Sequence, residues 1–161
     1  MPAQTLPATV VTRSPLPAPR RATPAEPDDD GPPRRVAWPE RAAEIAARPL
    51  PAADGAALFT QVWHREPHVL SLADDELARL ATWPEYVAVE GGSTLIRQDE
   101  VGDYLLLVLD GTLLVERHPS DGPRLRLAEA RAADMLGEMS LLDAGLRFSH
   151  VSARGSARLA V

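Results

Sequence analysis

The sequence contains no cysteine among its 161 residues. That excludes disulfides, thiolate metal sites and cysteine nucleophiles together. Lysine is missing too, so all 17 basic residues are arginine. Mechanisms that need a lysine, including the phosphate-loop lysine of nucleotide triphosphatases, are excluded with it. Beside the abundant alanine and proline, this arginine usage reads as genome composition bias rather than function. Long apolar runs are absent: the longest uninterrupted one covers residues 104–109, far short of the ~20 residues a membrane span needs. Positive charge is in deficit, with a formal net charge of −6, which argues against direct nucleic-acid binding by this chain. It leaves room for one anionic small molecule, because a local site can oppose the global charge. Prolines interrupt the N-terminus from Pro2 onward, so no basic-then-apolar leader pattern is seen. The expected compartment is the cytoplasm, with no membrane partner.

What is there permits a core. The composition is 45% hydrophobic and 25% charged, enough for one domain with extensions. Residues 1–35 hold nine of the sixteen prolines, together with Arg20-Arg21, Asp28-Asp29-Asp30 and Arg34-Arg35. Few large apolar residues accompany them, so residues 1–38 read as a disordered tail rich in proline and arginine. The stretch 15–21 has the composition of a polyproline II segment able to dock on a partner. Residues 39–84 read as N-terminal helices. The first covers residues 40–48, between Pro39 and Pro49. The second covers residues 54–63, with Asp54 as its cap. The third is capped by Ser71 or Asp74, carries Leu72, Leu77, Leu80 and Ala81 on one stripe, and ends at Pro84. Trp63 and Trp83 stand at helix ends, where core or staple packing explains them.

From residue 85 the period changes to two. Strands are predicted over 86–90, 94–97, 104–109, 112–117, 125–129, 149–153 and 157–161. Asp110-Gly111 is a strong hairpin signal between the third and fourth. Residues 85–161 are therefore expected to form a mainly β unit, a jelly-roll (double-stranded β-helix) barrel. One segment breaks the rhythm. Residues 138–142 look helical, and free backbone N–H groups at the start of an inserted helix suit an anion.

That insert reads Leu136-Gly137-Glu138-Met139-Ser140-Leu141-Leu142-Asp143-Ala144-Gly145-Leu146-Arg147-Phe148-Ser149-His150-Val151. It resembles the phosphate-binding cassette of cyclic nucleotide-binding domains, the family of the catabolite activator and Crp-Fnr-like regulators. Those cassettes run Gly-Glu, an apolar residue, a small residue, two apolar residues, and an Arg about nine residues after the Glu. Leu72-Ala73-Asp74-Asp75-Glu76-Leu77 is similar to the helix before the barrel in that family, and the run 102–115 is similar to its central hairpin. In all, the resemblance covers roughly residues 57–161. It implies a non-catalytic, regulatory ligand-sensing domain in bacterial signal transduction, with a cyclic nucleotide, cAMP or cGMP, as ligand and no cofactor. Arg147 would grip the phosphate with a charge-assisted fork, and Glu138 would accept the ribose 2′-hydroxyl. Gly137 would let the backbone approach the sugar. Met139, Ser140, Phe148 and Ser149 complete the expected ligand-binding set. An isolated Glu-x8-Arg, by contrast, reads as a surface salt bridge across a turn.

The sequence departs from the family at Phe148, where a Ser, Thr or Ala is usual, and at His150, where Thr is common. Both bear on affinity and on the choice of base. The family also continues past its barrel into helices that lid the base and form a homodimer. The sequence given stops at Val161, so it is expected to be a fragment or a truncated product, with the base side of its pocket open. A rival expectation keeps the barrel with a degenerate pocket, as a protein interaction module. A jelly-roll metal enzyme ranks last, since only His118 and His150 lie in the barrel region. His64 and His68 are separated by Pro67, which breaks the helical spacing a metal pair would use.

Overall fold

The computed structural model describes residues 32–65, 72–142 and 145–161. Most of the proline-rich tail, His68 and Ser71 lie outside the described residues. The chain opens with strand β1 (Arg35–Val36), helix α1 (Trp38–Glu44), strand β2 (Arg48–Pro49) and helix α2 (Ala52–Arg65). Val36 and Trp38, inside the stretch read as tail, are buried. Helix α1 starts two residues earlier than expected because Pro39 occupies its first turn, where a missing N–H is harmless. It ends at Glu44 rather than Arg48. Ala46 takes a left-handed conformation (φ 50°), and Arg48 and Pro49 leave to pair with the barrel. Asp54 sits in the first turn of α2 rather than at its cap.

Helix α3 (Asp74–Leu80) follows. Its cap is Ala73, whose N–H donates to the Glu76 carboxylate at 3.0 Å, in place of the Ser71 or Asp74 expected. Leu77 and Ala81 are buried, as the stripe requires, against Phe59, Val62 and Tyr86. Trp63 stacks on Phe59 with ring centroids 5.5 Å apart. Trp83 departs from expectation: the turn after α3 turns it outward, and it is 81% exposed.

The β unit comprises β3 (Tyr86–Val89), β4 (Thr94–Ile96), β5 (Val101–Gly102), β6 (Leu106–Asp110), β7 (Leu113–Arg117), β8 (Leu125–Ala130), β9 (Met135–Leu136), helix α4 (Glu138–Leu142), β10 (His150–Ala153) and β11 (Ala157–Ala160). Two antiparallel sheets form, ordered β4-β10-β7-β8 and β2-β3-β11-β6-β9, and β1 pairs with β5 in parallel. The sheets share one core: Leu95, Leu113 and Val151 from the first meet Val89, Leu106 and Leu159 from the second. This is the expected jelly roll, built from open sheets rather than a closed ring. The Asp110-Gly111 turn is where the hairpin signal put it. Gly111 has φ 95°, and a side chain there would strike Ser156 and Ala157. Strand β8 is an edge strand, so its apolar Leu125 and Leu127 are half exposed along with Arg126. Among the described residues, no helix is long and apolar enough to cross a membrane.

Candidate functional site

A cavity of about 480 Å³ opens between β4, β7, β8, β10 and the segment carrying α4. All seven residues expected to bind a ligand line it: Gly137, Glu138, Met139, Ser140, Arg147, Phe148 and Ser149. Ile96, Asp99, Val115, Arg117, Leu127, Leu136, Leu146 and Val151, which sequence reasoning did not single out, complete the walls. The lining is largely apolar, with a few converging polar groups. That is the usual composition of a small-molecule site.

Arg147 is the anchor. It is only 3% exposed. Its Nη1 donates to the Gly137 carbonyl at 2.8 Å and to Ser140 Oγ at 2.7 Å, and its Nη2 donates to the Tyr104 carbonyl. The Cζ lies 4.7 Å from the centroid of the Tyr104 ring, a cation–π distance. Burial pushes the guanidinium pKa below its ordinary value, opposed by the charges of Tyr104, Asp103, Glu100 and Glu138. Its Nε is buried without a partner among the described residues. Among the described residues, this buried cation is held by neutral carbonyls and a hydroxyl, with one N–H unpaired and no carboxylate in contact, an arrangement that an anion would complete.

Two glycines make the slot for that guanidinium. A Cβ on Gly137 would come 2.6 Å from Nη1, and one on Gly102 would come 2.6 Å from Nη2. Gly137 also has φ 92°, a conformation that glycine adopts without strain. The backbone on either side of Arg147 is tied down. Its N–H donates to the Glu100 carbonyl at 2.8 Å, and its carbonyl accepts from the Asp99 N–H at 2.9 Å. Asp99 is itself left-handed (φ 66°), which bends the chain so that both bonds form.

Glu138 opens α4 and lines the cavity, half buried. Among the described residues no ion pair joins it to Arg147, so the salt-bridge reading of Glu-x8-Arg does not hold here. Helix α4 spans five residues, so its first-turn N–H groups matter more than any macrodipole. Met139 is 65% exposed. Phe148 finds its space at the mouth, 59% exposed, under the Arg117 guanidinium at 4.3 Å. Arg117 also donates to the Phe148 carbonyl at 2.8 Å. Ser149 lines the cavity although simple alternation would turn it away; it lies in a bend just before β10, outside the strand to which alternation applies.

His150 faces Glu116 across the β10–β7 pairing. Its ring stacks on His118 at 4.6 Å, and its Nε2 lies 3.4 Å from Thr94 Oγ. Burial lowers its pKa, and His118 adds to that. Among the described residues, no group of three or more His, Asp or Glu could hold a metal ion.

Comparison with known proteins places this geometry. Residues 86–161 match the profile of the cyclic nucleotide-binding domain. No curated protein matches the sequence. Solved structures do. A cyclic nucleotide-binding domain from Methylobacillus flagellatus KT is 22% identical, with 68% of this chain covering 61% of that one and a TM-score of 0.61. The N-terminal domain of a transcriptional regulator from Streptomyces coelicolor A3(2) is 30% identical, with coverage of 62% and 69% and a TM-score of 0.56. A triple variant of the regulatory subunit of a cAMP-independent protein kinase A from Trypanosoma brucei, bound to cAMP in its A site, is 25% identical, with coverage of 68% and 40% and a TM-score of 0.58. The present chain thus spans 61% of the first and 40% of the last.

Proposed function

The chain belongs to the cyclic nucleotide-binding domain family, and on that premise we propose that it is a regulatory sensor whose cavity binds a cyclic nucleotide, with cAMP the first candidate. The observation that carries this reading is the buried Arg147 guanidinium, without an ion pair among the described residues, on the wall of a cavity of about 480 Å³. The ligand's cyclic phosphate supplies the missing anion, and Arg147 and Ser140 receive it. Glu138 accepts the ribose 2′-hydroxyl. The apolar wall formed by Val115, Leu127 and Val151 suits the flat base. Gly137, Met139, Phe148 and Ser149 frame the sugar and phosphate. Nothing in this arrangement pairs a nucleophile with a base, so the chemistry is recognition, not turnover. The cAMP held by the Trypanosoma brucei variant supports the ligand class, and the Streptomyces coelicolor relative supports a place in a transcription regulator. A cytoplasmic location, and a homodimer if C-terminal helices exist in the full-length protein, accord with this reading.

Isothermal titration of the chain with cAMP, cGMP and 2′-deoxy-cAMP tests it. Binding of cAMP or cGMP that is lost in Arg147→Ala and weakened for the 2′-deoxy ligand is expected. Undiminished binding in Arg147→Ala would refute the site. One specific feature favours a second reading, an interaction module. Leu127, Met139, Leu141, Leu146 and Phe148 are all between 40% and 65% exposed, and four of them line the cavity. A folded chain that gives no heat with any cyclic nucleotide would favour it.

A further inference from the structure

Arg41, Glu100 and Tyr104 join the N-terminal helix to the back of the site. Arg41 projects from α1 and is 0% exposed, the most deeply buried charged residue described. Its guanidinium pairs with Glu100, itself 9% exposed, and with Glu44. Arg34 adds a longer approach to Glu100 at 3.6 Å. The segment gripped in this way is the one that holds Arg147. Glu100 gives its carboxylate to Arg41 and its backbone carbonyl to the Arg147 N–H at 2.8 Å. Two residues on, Gly102 pairs with Val36 of β1 and leaves room for the Arg147 guanidinium. Two further on, Tyr104 offers its carbonyl and its ring to Arg147, while the same ring meets Trp38 of α1 at 5.5 Å. Its hydroxyl is fixed on the Leu95 carbonyl at 2.6 Å. Every second residue from 100 to 104 thus touches the N-terminal segment and Arg147 at once.

A buried ion pair is a poor way to add stability, because desolvating two charges offsets most of their attraction. Its use at this place calls for another explanation, and the contacts supply one. We propose that the Arg41–Glu100 pair is a positioning device for Arg147, so that helix α1 belongs to the ligand site although it lies outside the matched residues 86–161. The proposal rests on the reading of Arg147 as the phosphate-holding residue. It also has a consequence for signalling. A ligand that draws Arg147 away from the Tyr104 carbonyl must disturb the ring against which Trp38 packs, so occupancy is felt in α1.

The test uses the full chain, with cAMP and cGMP as probes in titration calorimetry. Arg41→Met and Glu100→Gln are expected to weaken binding by at least ~10-fold, about 1.4 kcal/mol. Glu90→Gln, which breaks the exposed pair with Arg48, is expected to change nothing. In a Trp63→Phe/Trp83→Phe background Trp38 is the sole tryptophan, and saturating ligand is expected to shift its emission. The added Arg147→Ala substitution is expected to abolish that shift. A purely structural ion pair predicts no ligand response at Trp38. If neither Arg41→Met nor Glu100→Gln folds, the Trp38 response decides alone. Native-like affinity in folded Arg41→Met and Glu100→Gln overturns the proposal while leaving the functional reading intact, as does Trp38 emission that ignores bound ligand. Absence of binding by the native chain, or binding that survives Arg147→Ala, overturns the functional reading and this proposal with it.

Discussion

Replacing Gly102 by alanine tests the slot that holds Arg147. No left-handed φ is required at this glycine, so an alanine backbone is unstrained; the obstacle is the guanidinium. A Cβ would lie 2.6 Å from Nη2, 2.8 Å from Nε and 3.0 Å from Cζ, where ordinary contact begins at 3.4 Å. The guanidinium must therefore retreat by about 0.8 Å, the difference between 3.4 and 2.6 Å. Such a retreat stretches a 2.8 Å bond such as that to the Gly137 carbonyl past the ~3.5 Å at which a hydrogen bond ceases to count. A hydrogen bond made by a charged group contributes ~1.5–3 kcal/mol. Loss of one such interaction with the ligand weakens Kd by ~10–150-fold. The same lost bond costs the fold ~1.5–3 kcal/mol, or roughly 3–12 °C in Tm for a chain of this size. Gly155→Ala is the control, since its Cβ would meet nothing within 4 Å. Calorimetric titration with cAMP and thermal unfolding should show the Gly102 variant folded and weak, and the Gly155 variant unchanged. Gly102→Ala binding within about twofold of the native chain would refute the reasoning, because the ligand would then not depend on where Arg147 sits.

Leu106 is fully buried between the two sheets, and Leu106→Ala is expected to cost ~2–5 kcal/mol in urea unfolding; a loss under ~1 kcal/mol would mean that the sheets do not share the core described. Burial disfavours the charged form of His150, with His118, Arg124 and Arg97 adding to that and Glu116 opposing it. Its folded pKa therefore lies below the ordinary value of about 6.5. Between the two values the unfolded chain binds more protons, so stability falls as pH drops through that window. Tm followed from about pH 7 to about pH 5 should decline less in His150→Gln than in the native chain, and parallel curves would sink the assignment. Phe148→Ser removes an exposed ring and its Arg117 contact, worth ~0.5–1 kcal/mol. It should leave Tm nearly unchanged while tightening cAMP binding, because a hydroxyl then stands beside the phosphate; weaker binding would instead make Phe148 part of the base platform.

The longer strands of the β unit were legible from alternating stretches such as 125–129 or a short continuous apolar run such as 104–109, and because Asp110-Gly111 marks a turn. The two-residue strands β1, β2, β5 and β9 carry no such period, and only their partners reveal them. Trp83 was misread because a tryptophan's apolar surface says nothing about which way a turn will point it. The cassette residues were legible because they are contiguous, from Gly137 to Ser149. What holds Arg147 was not. Two of its acceptors are backbone carbonyls, which leave no trace in residue type, and Gly102, Tyr104 and Glu100 arrive from more than forty positions away through sheet pairing.

Those carbonyls also decide what binding must involve. The guanidinium makes three hydrogen bonds to neutral acceptors in the structure. A ligand that merely filled the cavity would leave them in place and would gain little from the cation. A phosphate is a stronger acceptor than a carbonyl because it is charged, and its attraction grows in a site from which water is excluded. On the proposed reading, recognition is an exchange of partners, and each carbonyl that Arg147 releases must find another donor or water. The Tyr104 carbonyl leads to the segment held by Arg41 and Trp38; the Gly137 carbonyl leads to α4 through Ser140 Oγ at 3.1 Å. A ligand engaging Arg147 therefore acts on two elements far apart in the chain, α1 through Tyr104 and α4 through Gly137. That differential contact is what a sensor needs if occupancy is to shift a conformational equilibrium rather than only fill a space.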